Sequence, residues 1–212
     1  MVLVDTLFLI LVIIFSAVIH EVMHGVAADR LGDPTARYAG RLTLNPIPHL
    51  DPIGSVLLPI VLALSGASFF FAWAKPVPYN PFNLRNDGLF ARFSEAIVAA
   101  AGPLSNLVIA LVTGLIMQVV PLAPDVSAVF FLIVAVNVML FLFNLFPIPP
   151  LDGSKILASI LPGSIGRAYD GWRARMEYNP FLGMGLVLVI IVLFGQTFGA
   201  FVLSVARIIA GV

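Results

Sequence analysis

The sequence contains no cysteine, and only 10% of its 212 residues are charged. Without cysteine, neither disulfides nor a thiolate zinc site can form, so any metal must be held by His, Asp or Glu. A soluble globular domain usually carries about 25% charged residues, so the low charge argues against that class. The formal net charge is zero, which leaves no sign of a basic surface for nucleic acid.

Long uncharged runs take the place of the missing charges. Four runs contain no Asp, Glu, Lys or Arg, and they are residues 52–74, 96–124, 126–151 and 178–206. Each is long enough for a helix that crosses a hydrocarbon core, which needs about 20 residues. A shorter run, 7–19, leads directly into His20 and Glu21 and is interpreted as a retained membrane helix. The pattern predicts an all-α polytopic membrane protein with about four full transmembrane helices, at 4–28, 89–120, 127–146 and 181–209.

The hydrophobic segment 51–73 is the exception, because it contains Pro52, Gly54, Pro59 and Gly66. Basic residues flank it on both sides, so a full crossing would place one basic block outside, against the positive-inside rule. We therefore expect a re-entrant segment here, with a fifth crossing as the simpler alternative. The same rule places the N-terminus and the loop 121–125 outside, and the end of the first helix in the cytoplasm.

His20-Glu21-Val22-Met23-His24 is the motif that carries chemistry. Residues four apart share one face of a helix, so both imidazoles can bind one metal ion. Glu21 is then placed to take a proton from a water that the metal activates. The alternative is a buried polar network that only joins helices, but ionisable residues inside membrane helices usually mark function.

A catalytic zinc needs three protein ligands and one open position. The candidates for the third ligand at membrane depth are His49, Asp51, Glu95 and Asp152. Asp152 is favoured because it follows a proline-rich stretch after the third helix and precedes Gly153, which frees the backbone to turn. Asp152 could instead cap a short helix that starts at Ser154.

These motifs resemble the core of the site-2 protease family, the M50 intramembrane metalloproteases. The resemblance spans about residues 7–160 and rests on three pieces: His20-Glu21-x-x-His24, Ala101-Gly102-Pro103-Leu104-Ser105-Asn106, and Asn144-x-x-Pro147-x-x-x-x-Asp152-Gly153. It implies one Zn²⁺ per chain held by His20, His24 and Asp152, with Glu21 as general base. We expect residues 1–212 to form a single membrane domain of the compact prokaryotic kind, with a C-terminal helix at 181–209 and without a PDZ or appended regulatory domain.

Four further polar residues have two interpretations each. Asn106 and Asn144 are expected to bind the substrate backbone or orient a ligand, and the alternative is hydrogen bonding between helices. His49 and Asp51 could approach the metal or form a gate, but turn chemistry favours a polar turn at the membrane surface. Gly102-Pro103 is expected to kink its helix and open space.

The expected activity is hydrolysis of peptide bonds within or near transmembrane segments, in a cell-membrane protein whose active site opens towards the cytoplasm. Expected partners are the lipid bilayer and single-pass membrane proteins or signal-peptide remnants, and the sequence leaves a homodimer open. Two other classes remain: a membrane metal transporter, and a non-catalytic binder of membrane helices. The presence of Glu21 argues against the second, because a binder does not need a general base.

Overall fold

The computed structural model of the chain describes residues 2–57, 61, 64, 74–85 and 93–212. Within these residues the regular structure is helical. The α-helices are α1 (Val2–Arg30), α2 (Thr35–Tyr38), α3 (Ser94–Val119), α4 (Pro124–Asn144), α5 (Asp152–Ile160), α6 (Gly163–Tyr178) and α7 (Pro180–Ala210). Short helical turns lie at Ile47–His49, Pro52–Leu57 and Pro81–Asn83.

Four of these helices are long and apolar enough to cross a membrane: Thr6–Arg30, Ser94–Val119, Pro124–Asn144 and Phe181–Ala210. They confirm the prediction of an all-α polytopic membrane protein with four transmembrane helices. The expected bounds agree to within three residues, except at the start of α3, where residues 86–92 are not described. Most of segment 51–73 also lies outside the described residues, so its re-entrant course stays a prediction.

Helix α3 is the centre of the bundle, because it packs against α1, α4, α5 and α7. One apolar cluster joins α3, α4 and α7 through the buried residues Ala110, Val134, Val138, Val202 and Ala206. Small residues let these helices approach closely, as is common in membrane bundles. The opposite surface of α7 is apolar and exposed, with Val192 71% and Leu193 67% exposed, as expected of a helix that faces lipid.

A second cluster fixes the other end of α3 against α1. Val98 of α3 packs with Ala28 of α1 and with Leu84, and Tyr79 covers them from the loop. This cluster holds the segment 74–85 beside the last turns of α1. The central helix α3 therefore lies directly behind the His-Glu-x-x-His motif.

Candidate active site

Three side chains from two distant parts of the chain meet between α1, α3 and α5. His20 and His24 project from one face of α1, and Asp152 is the first residue of α5. The Nε2 atoms of the two imidazoles are 3.1 Å apart. Asp152 Oδ2 lies 3.2 Å from His20 Nε2 and 3.3 Å from His24 Nε2. All three residues are buried, with at most 9% of their surface exposed.

The other nitrogen of each imidazole is already engaged. His20 Nδ1 lies 2.7 Å from the side-chain oxygen of Asn106, and His24 Nδ1 lies 2.7 Å from the carbonyl oxygen of Val98. Both partners are acceptors, so each Nδ1–H donates, and each neutral ring presents the Nε2 lone pair to Asp152. Three acceptor atoms thus face one another, which requires a cation between them.

These distances fit a zinc ion. Four ligands at about 2.0–2.1 Å in a tetrahedron lie about 3.3 Å from one another, close to the three separations observed here. Ligand atoms of His20, His24 and Asp152 form the one cluster of this kind in the described part of the chain. Hydrogen bonds from the Nδ1 atoms to carbonyl oxygens are also the usual support for histidine ligands of zinc.

Asp152 is not a helix cap. Leu151 occupies the N-cap position of α5, and Asp152 is the first helical residue. Burial alone would raise the pKa of the Asp152 carboxyl, but the facing imidazoles, when protonated, hold it well below its usual range. With neutral imidazoles, as their Nδ1 contacts indicate, a cation at the Nε2 atoms would have to keep the carboxylate ionised.

Asn106 is held by a network that sequence reasoning did not find. Its amide nitrogen donates to Asn137 Oδ1 at 2.9 Å and to the Ser16 carbonyl oxygen at 3.3 Å, which leaves its oxygen free to accept from His20. Asn137 in turn donates to Ser16 Oγ at 3.0 Å. Both asparagines are fully buried. Asn137 carries the same signal as Asn144, an amide in an apolar helix, and could have been found by it.

Gly102 makes room for both imidazoles. A Cβ atom built at this position would lie 2.7 Å from His20 Nε2 and closer still to His24 Nε2. Any other residue would therefore displace the proposed ligands. The kink expected of Gly102-Pro103 stays a prediction, and what the structure shows at Gly102 is a close approach of α3 to α1.

With this geometry, the chain can be compared with known proteins. The family model described as "Peptidase family M50" matches residues 116–190, which include Asn144 and Asp152. The "Putative zinc metalloprotease YwhC" of Bacillus subtilis is 34% identical over 205 residues, which cover 92% of this chain and 84% of that protein. The chain belongs to peptidase family M50. It is thus a member of a family of zinc metalloproteases.

A second relative is also named a zinc metalloprotease. The "Putative zinc metalloprotease Rip2" of Mycolicibacterium smegmatis is 34% identical over 161 residues, covering 73% of this chain and 58% of that protein. No solved structure gives a significant match.

Two cavities adjoin the candidate metal ligands of this M50 protein. The smaller, about 140 Å³, is lined by His20, Glu21, His24 and Asp152 together with Asn144 and Lys155. The larger, about 600 Å³, is mostly apolar and lies between α1, α4, α7 and the segment 46–55. His20, Glu21 and Asn144 line both cavities, so the two meet at the motif.

Glu21 and Asn144 both present polar atoms to this junction. Glu21 Oε2 accepts a hydrogen bond of 2.8 Å from the backbone N–H of Val77. Asn144 donates at 3.0 Å to the Leu140 carbonyl oxygen of its own helix. No sequence signal marks Val77, because its contribution is a backbone group. The substrate contact expected of Asn144 stays a prediction.

The structure places His49 and Asp51 in a turn. His49 Nε2 donates to the Thr43 carbonyl oxygen at 2.9 Å, and Asp51 Oδ1 accepts from the backbone N–H groups of Ile53 and Gly54 at 3.0 and 2.7 Å. These contacts are those of the polar-turn alternative. His49 also lines the larger cavity, and its role as a gate stays a prediction. Glu95, the remaining candidate for the third ligand, instead pairs with Arg173 at 3.0 Å.

Proposed function

We propose that this M50 protein is an intramembrane endopeptidase that hydrolyses peptide bonds within or near transmembrane segments of its substrates. His20, His24 and Asp152 would hold a single zinc ion. The observation that carries the proposal is the triangle of Nε2, Nε2 and Oδ2 atoms, with sides of 3.1–3.3 Å and both Nδ1 atoms already engaged. When bound, zinc would lower the pKa of a water molecule and polarise the substrate carbonyl.

Glu21 is the proposed general base. It lines the same small cavity as the three ligands, and the Val77 N–H fixes one of its oxygens. The water oxygen bonds to the carbonyl carbon while its proton passes to Glu21 and the carbonyl π electrons move onto the oxygen. The carbonyl then re-forms, the C–N bond breaks, and the leaving amine takes the proton from Glu21.

Asn106 and Asn137 are proposed as positioning residues. Asn106 fixes the His20 ring through Nδ1, and Asn137 fixes Asn106. Because these bonds join α1, α3 and α4, they also link the helices, as the sequence-based alternative expected. The buried position of Asn106 supports the orientation of a ligand over direct contact with substrate.

The larger cavity supports cleavage of a membrane-embedded segment. A substrate helix must unwind before its amides are accessible, because its own hydrogen bonds protect them. A mostly apolar cavity of about 600 Å³ that meets Glu21 suits the side chains of such a segment. Proposed substrates are single-pass membrane proteins or signal-peptide remnants, and residues 1–212 form one membrane domain whose active site faces the cytoplasm.

The test compares wild type with Glu21→Gln, which keeps the three ligands and removes the base. Membrane proteomes of cells producing either form are compared, and substrates that accumulate with Glu21→Gln are incubated with purified, zinc-loaded protein. We expect the wild type to cut within or near a transmembrane segment and Glu21→Gln to leave the substrate intact. Equal behaviour of the two forms contradicts the proposal.

The same proteins distinguish the two rival classes. A metal transporter predicts zinc flux into vesicles that depends on His20, and no peptide-bond cleavage. A binder of membrane helices predicts that both forms retain substrate without cutting it. The protease predicts trapping by Glu21→Gln alone, alongside cleavage by the wild type.

A further inference from the structure

Lys155 introduces a positive charge into the cavity that holds the proposed metal ligands. It lies three residues after Asp152 in α5, so the two side chains share one helix face. Lys155 lines the cavity of about 140 Å³ together with Glu21 and the three ligands. A peptide carbonyl placed at the ligands would occupy this small cavity, whose wall includes Lys155.

The charge of Lys155 is not neutralised by a carboxylate within 4 Å among the residues that the structure describes. The nearby acidic groups are engaged elsewhere: Glu95 and Glu177 contact Arg173 at 3.0 and 3.4 Å, and Asp152 faces the two imidazoles. The Lys155 ammonium instead lies 4.9 Å from the centre of the Tyr79 ring. An aromatic face holds a cation without cancelling its charge.

Tyr79 fixes the position of this cation from the opposite wall. Its ring packs against the buried cluster of Ala28, Leu84 and Val98, so it is anchored to α1 and α3. Lys155 is therefore preorganised between α5 and the 74–85 segment, and it does not extend freely into solvent. Preorganised charge aimed at a reacting group is often the largest contribution to catalysis.

We propose that Lys155 is a catalytic residue that stabilises the negative charge developing on the oxygen of the cleaved carbonyl. This inference rests on the proposed peptidase function. When the water adds to the carbonyl carbon, the π electrons move onto the oxygen, and Lys155 donates a hydrogen bond to it. After the C–N bond breaks and the new carboxylic acid releases its proton to water, the same ammonium binds the carboxylate. No proton is transferred from Lys155 at any step.

The chain offers a matched control, since its only other lysine is Lys75. Lys75 is exposed and its side chain does not line the small cavity. The test compares Lys155→Met, Lys155→Arg and Lys75→Met with the wild type, each loaded with zinc. Activity is measured on a substrate found by the Glu21→Gln comparison, and bound zinc is measured alongside.

Removal of one donor to an oxyanion lowers kcat by about 10²–10³-fold, and we expect a loss of this order in Lys155→Met with little change in KM. Zinc content should stay at the wild-type level, Lys155→Arg should recover most of the activity, and Lys75→Met should match the wild type. An unchanged kcat in Lys155→Met contradicts the inference. A loss of kcat in Lys155→Arg equal to that in Lys155→Met also contradicts the inference. The effect would then depend on the shape of the lysine side chain and not on its positive charge.

A binding experiment tests the inference without catalysis. N-acetyl-trileucine, with a free C-terminal carboxylate, and its C-terminal amide are titrated into zinc-loaded protein by calorimetry. We expect the wild type to prefer the carboxylate, and Lys155→Met to lose about tenfold or more of that preference, as for a lost hydrogen bond to a charged group. An unchanged preference overturns the role of Lys155. If only the peptidase proposal fails, wild type and Glu21→Gln behave alike towards substrate while the carboxylate preference still depends on Lys155.

Discussion

Asp33 and Asp152 are the two buried aspartates among the residues whose burial the structure describes, and their surroundings are opposite. Asp33 is fully buried in the turn after α1. It accepts hydrogen bonds from the backbone N–H groups of Asn80 at 2.6 Å and Thr35 at 3.2 Å, from the Asn83 amide at 2.9 Å, and from the Thr35 hydroxyl. Every partner of Asp33 is a donor, whereas Asp152 faces two imidazoles whose donors point away from it.

This difference separates a structural carboxylate from one that requires a cation. A buried charge is tolerated when hydrogen bonds satisfy it. Asp33 meets that condition within the protein, and its donors lower its pKa although burial alone would raise it. Asp152 meets it only when a proton or a metal ion lies between it and the two Nε2 atoms. Burial alone does not distinguish the two residues, but the kind of partner does.

The largest expected effect is that of Asp152→Asn, and Asp33→Asn is its control. In Asp152→Asn, bound zinc and peptidase activity should fall to background. The substitution removes the one charged ligand of the proposed three, and an amide binds zinc poorly. Asp33→Asn should keep stoichiometric zinc, because its partners are Thr35, Asn80 and Asn83, none of which is a proposed ligand. Metal analysis of the purified variants measures this directly.

Thermal unfolding with a chelator sharpens the same contrast. Zinc that binds only the folded state stabilises it, so removal of zinc should lower the midpoint of the wild type and of Asp33→Asn. The midpoint of Asp152→Asn should not respond to the chelator. Zinc retained by Asp152→Asn at the wild-type level would remove Asp152 from the ligand set.

A second, smaller effect is expected at Gly102. The added methyl group of Gly102→Ala would lie within 2.7 Å of both Nε2 atoms, so one ring must move. We expect zinc affinity to fall by about 10–100-fold, as for other changes that disturb ligand orientation. Gly185→Ala is the matched control, because a Cβ at this helical position meets nothing within 4 Å. Equal zinc affinity in the two variants would show that the rings do not need this space.

Asn106 gives the third prediction, because it decides which nitrogen of His20 faces Asp152. Asn106→Ala removes the acceptor for Nδ1–H, and zinc affinity should fall by about tenfold. Asn106→Asp keeps an oxygen for His20 but loses the donor to Asn137, so it should lose less affinity than Asn106→Ala. The reverse order would show that an acceptor for His20 Nδ1–H is not what maintains the zinc affinity, because both variants lose the donor to Asn137.

Sequence patterns predicted the membrane fold well, because three of the four transmembrane helices coincide with an uncharged run of at least the roughly 20 residues that a helix needs to cross the hydrocarbon core. They also indicated His20 and His24, since their spacing alone places them on one helix face. Asp152 was harder. Its distance from His20 in the chain is 132 residues, and a cap was a reasonable alternative until the structure placed Leu151 at the N-cap.

The supporting contacts could be predicted only in part. The carbonyl oxygen of Val98 and the N–H of Val77 are backbone groups that any residue type supplies, so their role depends entirely on packing. The charge of Lys155 was visible in the sequence, but its place beside the ligands follows from the start of α5 and from Tyr79. Asp33 in Gly32-Asp33-Pro34 looked like an ordinary turn residue, and nothing in the sequence indicated that the distant segment 80–83 would supply two of its donors.

The smallest expected effect is the loss of stability in Asp33→Asn, measured with chelator present so that zinc does not contribute. An amide cannot accept all the hydrogen bonds that Asp33 accepts, and we expect a loss of about 1–3 kcal/mol. Asp125→Asn, at an exposed site in the first turn of α4, should change stability by less than about 0.5 kcal/mol.

The stabilisation by Asp33 should also depend on pH. Because the pKa of Asp33 is lowered in the folded state, its contribution is complete above its unfolded pKa of about 3.9 and is lost as the pH falls through the folded value. The difference between wild type and Asp33→Asn should therefore shrink below about pH 4. A difference that stays constant down to pH 2 would mean that the charge of Asp33 does not stabilise the loop, and the contrast with Asp152 would then rest on geometry alone.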